Sequence, residues 1–265
     1  MIGTEDLEEL LKLALFSGYL RDERPVSVLI AAPVESGKTE LVNRYSDCPG
    51  VLTFTNVTAW ALQHRFLPQI QAGQVKHILI PDIMIPLSNS SDVRDRFIAF
   101  MTALVEEGSV RIQTYATNIA STLPVRCGLI TAIPRGELTD RRHRWTKLGF
   151  MSRMLPVSYT YSAYTVDLIA RYIGERRYHD DGKHHLSFPE TDVAVDYPLG
   201  FADVFTVPAR SVTKATELYG FRLQRQFQAL AMARAITRGR TTVTEEDILA
   251  IKLLARYINL DYNAL

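Results

Sequence analysis

The sequence predicts an α/β core with a mainly parallel sheet, followed by a small all-helical domain. Three observations carry that expectation. Short apolar runs rich in β-branched residues alternate with amphipathic segments over residues 1–157, the pattern of buried strands joined by crossover helices. One strand-to-helix joint, Ala31-Ala32-Pro33-Val34-Glu35-Ser36-Gly37-Lys38-Thr39, has the composition of a loop that wraps a phosphate. From residue 158 onward the strand signals stop and helical periodicity takes over.

The elements follow in order. Leucines at mostly helical spacing over residues 6–20 predict an amphipathic helix before the first strand. Residues 26–31 are that strand, and 40–45 continue the helix after the loop. Residues 51–55 form a second short strand and 58–71 a helix that ends near Gly73. The apolar run 77–80, closed by Pro81-Asp82, suits a buried parallel strand. A helix over 93–107 ends at Gly108, a C-terminal cap. Residues 110–115 alternate as a strand, and 127–133 form another buried strand stopped by Pro134. Beyond this core, residues 164–176 read as a helix, and about 178–210 as a polar connection or insertion. Residues 213–238 predict one long helix. Thr244-x-x-Asp247 opens the last helix, 245–258, with a capping box. The expected domains are thus 1–157 and 158–265.

A formal net charge of +1 gives no bulk attraction for nucleic acid or membrane, so any basic surface must be local. The two cysteines, Cys48 and Cys127, lack metal-ligand spacing and read as small buried residues in a reducing compartment. No apolar stretch approaches the roughly 18 residues needed to span a bilayer, and the acidic N-terminus does not resemble a signal peptide. A soluble cytoplasmic protein without a membrane partner is expected.

The joint at 31–39 departs once from G-x-x-x-x-G-K-[ST]: Ala32 stands where the first glycine would be. Backbone N–H groups of such a loop cradle phosphates, the lysine reaches the terminal ones and the hydroxyl after it ligates Mg²⁺. Pro33, Val34, Glu35, Ser36, Gly37, Lys38, Thr39 and Glu40 are therefore the candidate nucleotide-binding residues. Asp82, at the end of a buried strand, is the acid that would hold Mg²⁺ through water alongside Thr39.

The order of pieces resembles the AAA+ ATPases, in the branch that holds the minichromosome maintenance helicases, magnesium chelatases and bacterial enhancer-binding activators. The stretches that carry the resemblance are Leu104-Val105-Glu106-Glu107-Gly108, then Val125-Arg126-Cys127-Gly128-Leu129-Ile130-Thr131-Ala132-Ile133-Pro134, then Gly149-Phe150-Met151-Ser152-Arg153-Met154. The resemblance implies ATP and Mg²⁺ as ligands and a homo-oligomer, ring or filament, with nucleotide at the subunit boundary. It also implies Arg153 as an arginine finger acting in trans, and Arg222 as a sensor 2 arginine that binds nucleotide. Two positions break the family's pattern. Ile83 stands where the glutamate after the Walker B aspartate would be, and Ile133 where the sensor 1 asparagine would be. Thr131, two residues earlier on the same strand face, is the candidate sensor 1 substitute. Each lost water-handling group is worth about 10²- to 10³-fold in rate, so hydrolysis is expected to be impaired while binding survives.

A basic stretch, Arg135, Arg141, Arg142, His143, Arg144 and Lys147 with Trp145 among them, suits either phosphate contacts with base stacking or a subunit interface. With Arg111 and Tyr115 on the hairpin before residue 127, Arg141, Arg142 and Arg144 are the candidate DNA contacts. His179, His184 and His185 with Asp180 and Asp181 match no standard metal spacing and read as a polar loop. Two functions stand side by side: a helicase-like or loader-like ATPase acting on DNA, and a hydrolysis-impaired, ATP-dependent scaffold or switch that assembles with a protein partner.

Overall fold

The computed structural model describes residues 2–106, 111–114, 117–120, 125–177, 182–214, 216 and 218–259, with the backbone alone at 111–114 and 117–120. Helix α1 (Glu5–Ser17) leads into strand β1 (Val28–Ala32), the loop 33–37 and α2 (Lys38–Asn43). Then come β2 (Val51–Thr53), α3 (Ala59–Ala61) and α4 (Leu67–Gln71), followed by β3 (His77–Ile80), α5 (Met84–Leu87) and α6 (Ser91–Glu106). A hairpin, β4 (Arg111–Thr114) with β5 (Thr117–Ala120), precedes β6 (Gly128–Pro134), α7 (Arg135–Lys147) and β7 (Leu155–Ser158). The last part is helical: α8 (Ala163–Gly174), α9 (Thr206–Thr213), α10 (Phe221–Thr237) and α11 (Glu245–Leu254).

Five strands form one all-parallel sheet in the order β2-β3-β6-β1-β7, with Ala31 beside Ile133 and Ile80 beside Thr131. Because successive side chains alternate between faces, the strands feed two cores. Val28, Ile30, Ala32, Ile130 and Val157 face α1, α2, α10 and α11. Leu29, Ala31, Ile80, Leu129 and Ile133 face α3–α4, α6 and α7. Helix α10 packs its alanine- and leucine-rich face directly on this first core, so the C-terminal helices share a core with the sheet instead of building one of their own.

Several expectations meet a different structure. The 58–71 helix forms, but Pro68 has no N–H to return to the carbonyl four residues back, and the helix opens into a π turn, Leu62–Phe66, just before it. Strand β7, which contains Pro156, is not among the strands expected from sequence. It sits at a sheet edge, where a missing N–H costs nothing, and its outer carbonyl accepts from the Asn259 N–H. The long helix expected over 213–238 begins only at Phe221, as α10, and α9 (Thr206–Thr213) lies mostly in the stretch expected as a polar connection. Gly220 separates them with φ +82°, and a Cβ there would lie 3.1 Å from the Ala209 carbonyl oxygen. The polar connection laces the fold: the His184 N–H donates to the Arg44 carbonyl, and the Val193 N–H to that of Tyr19. His179, Asp180 and Asp181 lie outside the described residues. Among the described residues no helix is long and apolar enough to cross a membrane.

Candidate functional site

The loop between β1 and α2 turns through two left-handed residues, Glu35 at φ +61° and Gly37 at φ +76°. Ala32 is not one of them. It closes β1 in extended conformation, fully buried and paired with Pro134, so alanine carries no backbone penalty where the motif has its first glycine. Lys38 folds back over the loop, donating from Nζ to the Pro33 carbonyl at 3.1 Å. Only 9% of this residue is exposed. Burial pulls its pKa below the ordinary lysine value, and the nearby Asp82 carboxylate works against that fall. The tips of the loop, Pro33, Val34 and Glu35, are exposed, as are Thr39 and Glu40, while Ser36 is buried.

Strand order explains why Lys38 and Asp82 feel one another. Strands β1, β6 and β3 are neighbours and parallel, so the loops after Ala32, Pro134 and Ile80 leave the sheet at one edge. Asp82 accepts from the Met84 N–H at 2.9 Å, an arrangement that holds the carboxylate at that edge. The two departures are structural residues here. Ile83 and Ile133 are completely buried in the core under α6 and α7. Thr131 is equally buried, and its hydroxyl donates to the Ile80 carbonyl at 2.6 Å. The candidate sensor 1 substitute thus holds β6 to β3, with its proton already committed.

Arg153 and Arg222 stand elsewhere. Arg153 immediately precedes β7 and therefore lies at the opposite, N-terminal edge of the parallel sheet, roughly 16 Å away along the five residues of β1. Its Nε lies 2.6 Å from Glu106, and its Nη1 donates to the Gly149 carbonyl at 2.8 Å. Arg222, opening α10, contacts the same carboxylate at 2.5 Å and donates to the Ser152 hydroxyl at 3.2 Å. Arg24, just ahead of β1, adds a third contact at 3.3 Å. The structure does not bring Arg222 to the loop of its own chain. It joins Arg222 to Arg153 around Glu106, which sits at the C-terminal end of α6 where the helix dipole alone would disfavour a carboxylate. An apolar cavity of about 420 Å³, lined by Met151, Met154, Leu218 and Phe221 among others, opens beside this cluster.

No protein-family model matches this chain, and no curated protein is significantly similar to it. Its chemistry therefore rests on the geometry of these two edges.

The basic helix α7 is less available to nucleic acid than its sequence suggests. Trp145 is buried against Phe150, ring centroids 5.2 Å apart, and so offers no face to a base. Arg141 is paired with Glu137 and Arg144 with Asp95, while Arg142 is partly exposed. Arg111 is described only as the first residue of β4, and Tyr115 lies outside the described residues. Among the described residues no group of three or more His, Cys, Asp or Glu is arranged to hold a metal.

Three features escaped the sequence reading. Glu106 was read only as part of a motif. Arg135, expected to serve a nucleic-acid or subunit face, reaches from the end of β6 across β1 to the Ser158 hydroxyl and the Tyr159 carbonyl, both at 3.4 Å. Tyr159 and Tyr161 both donate to the Ser36 carbonyl in the loop, at 2.8 and 2.7 Å. The signal for the tyrosines was present: Leu155, Val157, Tyr159 and Tyr161 continue a two-residue alternation past Pro156.

Proposed function

We propose that this chain is an ATP-binding protein of the AAA+ kind, a homo-oligomer in which bound nucleotide governs assembly and turnover is slow or absent. The observation that carries the reading is the separation of two half-sites to opposite edges of one parallel sheet. Lys38, the loop and Asp82 share one edge, and Arg153 with Arg222 share the other. A phosphate held at the first edge is out of reach of the arginines of its own chain, and only a second copy can supply them. Both arginines then act in trans, as charge stabilisers for a neighbour's terminal phosphate.

The residues present suit the ligand. Two left-handed residues shape the loop, Lys38 is poised over it, and the exposed Thr39 hydroxyl with the Asp82 carboxylate is a hard-oxygen set appropriate to a hydrated Mg²⁺. Bound there, the ion would neutralise phosphate charge. Ile83 and Ile133 give no group to orient a water, and the Thr131 proton is engaged. This favours the scaffold or switch over the DNA motor, as do the burial of Trp145 and the ion pairs of Arg141 and Arg144.

Calorimetric titration with ATP and Mg²⁺ tests the reading. Wild type is expected to bind, Lys38→Ala to bind about 10- to 100-fold more weakly through loss of a charged contact, and Arg153→Ala in dilute monomer to bind as wild type. Equal affinity of wild type and Lys38→Ala would refute the loop assignment.

A further inference from the structure

We propose that Tyr159 and Tyr161 are positioning residues for the phosphate loop: their hydroxyls jointly hold the Ser36 carbonyl and thereby aim the Gly37 N–H at bound phosphate. The proposal rests on the phosphate-loop reading above and deepens it. Two hydroxyl donors converge on one carbonyl oxygen, at 2.8 Å from Tyr159 and 2.7 Å from Tyr161. The peptide that follows is planar and trans, so its N–H points opposite to its C=O. With the Ser36 carbonyl fixed toward the tyrosines, the Gly37 N–H is fixed away from them, at the second of the two left-handed residues that shape the loop.

The donors are themselves well held. Both side chains continue the β7 face that packs into the core of α1 and α10, and their rings meet edge-on at 5.6 Å. Tyr159 is buried, and Arg135 bonds to its carbonyl. Burial raises both phenols above their ordinary pKa, so both remain protonated donors at neutral pH. A loop tied to core side chains in this way is set before ligand arrives, which reduces the ordering cost of binding.

Because the donors share one acceptor, their effects should not add. Losing one hydroxyl leaves the buried carbonyl satisfied but held at one point instead of two, so the peptide loosens, whereas losing both leaves it bare, at the cost of an unsatisfied buried acceptor. Tyr159→Phe and Tyr161→Phe are each expected to weaken ATP binding by no more than about twofold, and the double variant by about tenfold or more. Affinity is to be measured by calorimetry with ATP and Mg²⁺ well below the melting temperature, with the thermal midpoint recorded alongside. A double variant that binds within twofold of wild type, whatever its midpoint, would overturn the proposal, as would single losses that simply sum to the double. Should the double variant fail to fold, hydrogen exchange at the Gly37 amide in the ligand-free Tyr161→Phe protein decides: faster exchange supports the clamp and an unchanged rate overturns it. Wild-type protein that does not bind ATP, or binding that survives Lys38→Ala, would remove the phosphate-loop reading and the clamp with it.

Discussion

His77 is a histidine kept neutral by its surroundings. It opens β3, wholly buried, with Nε2 3.3 Å from the Val26 carbonyl. Gly18 and Gly128 leave room for its ring; a Cβ at Gly128 would come within 2.3 Å of it. Burial pulls its pKa down to about 4, while in the unfolded chain it returns to about 6.5. The unfolded state therefore takes up the proton first as pH falls. Stability is intact above about pH 6.5 and declines through the window down to about pH 4. Between pH 7 and pH 5 this one group should remove about 2 kcal/mol. Urea titrations at both pH values check it: a His77→Asn variant should show a pH dependence smaller by that amount. At the same scale, Ala32, Ile83 and Ile133 show which sequence departures matter. Alanine fits an extended strand end at no cost, whereas both isoleucines are spent on core contacts and, under the proposed function, would offer no polar group to a water at the phosphate.

Helix α11 depends on one buried acid. Asp247 is fully buried; burial works to raise its pKa, but bonds from Arg240, the Thr244 N–H and Arg234 hold the carboxyl below its ordinary value. It also closes the capping box with Thr244. Asp247→Ala removes the cap and strands Arg234 and Arg240 without their counter-charge. It should cost about 3–5 kcal/mol, read as a lower urea midpoint; stability within 1 kcal/mol of wild type would refute that account. This element was legible in the sequence because capping is local: Thr244 and Asp247 lie three residues apart. The β1 loop was legible for the same reason. What stayed hidden depends on pairing across the chain. Strand β7 needs β1 to make Pro156 harmless, the break at Gly220 reflects a close approach to α9, and the Glu106 cluster gathers Arg24, Arg153 and Arg222 from three distant segments. Periodicity in one chain carries no record of such encounters.

At the scale of the whole molecule the sheet separates the β1–α2 loop, the proposed phosphate cradle, on one edge from an arginine cluster on the other. In the single chain Glu106 occupies that cluster; in the proposed assembly a neighbour's phosphate would take the place of its carboxylate. Complementation between variants follows from this division. Lys38→Ala keeps the arginines and Arg153→Ala keeps the loop, so neither alone should assemble with ATP, while an equimolar mixture should regain paired species detectable by light scattering. The most direct test of the central claim is the solution mass of wild-type protein by light scattering, with and without saturating ATP and Mg²⁺, on samples whose bound nucleotide is quantified. The account predicts monomer without nucleotide and a larger, closed or filamentous species with it, lost in Arg153→Ala. A protein that carries stoichiometric ATP and yet stays monomeric at high concentration would contradict it.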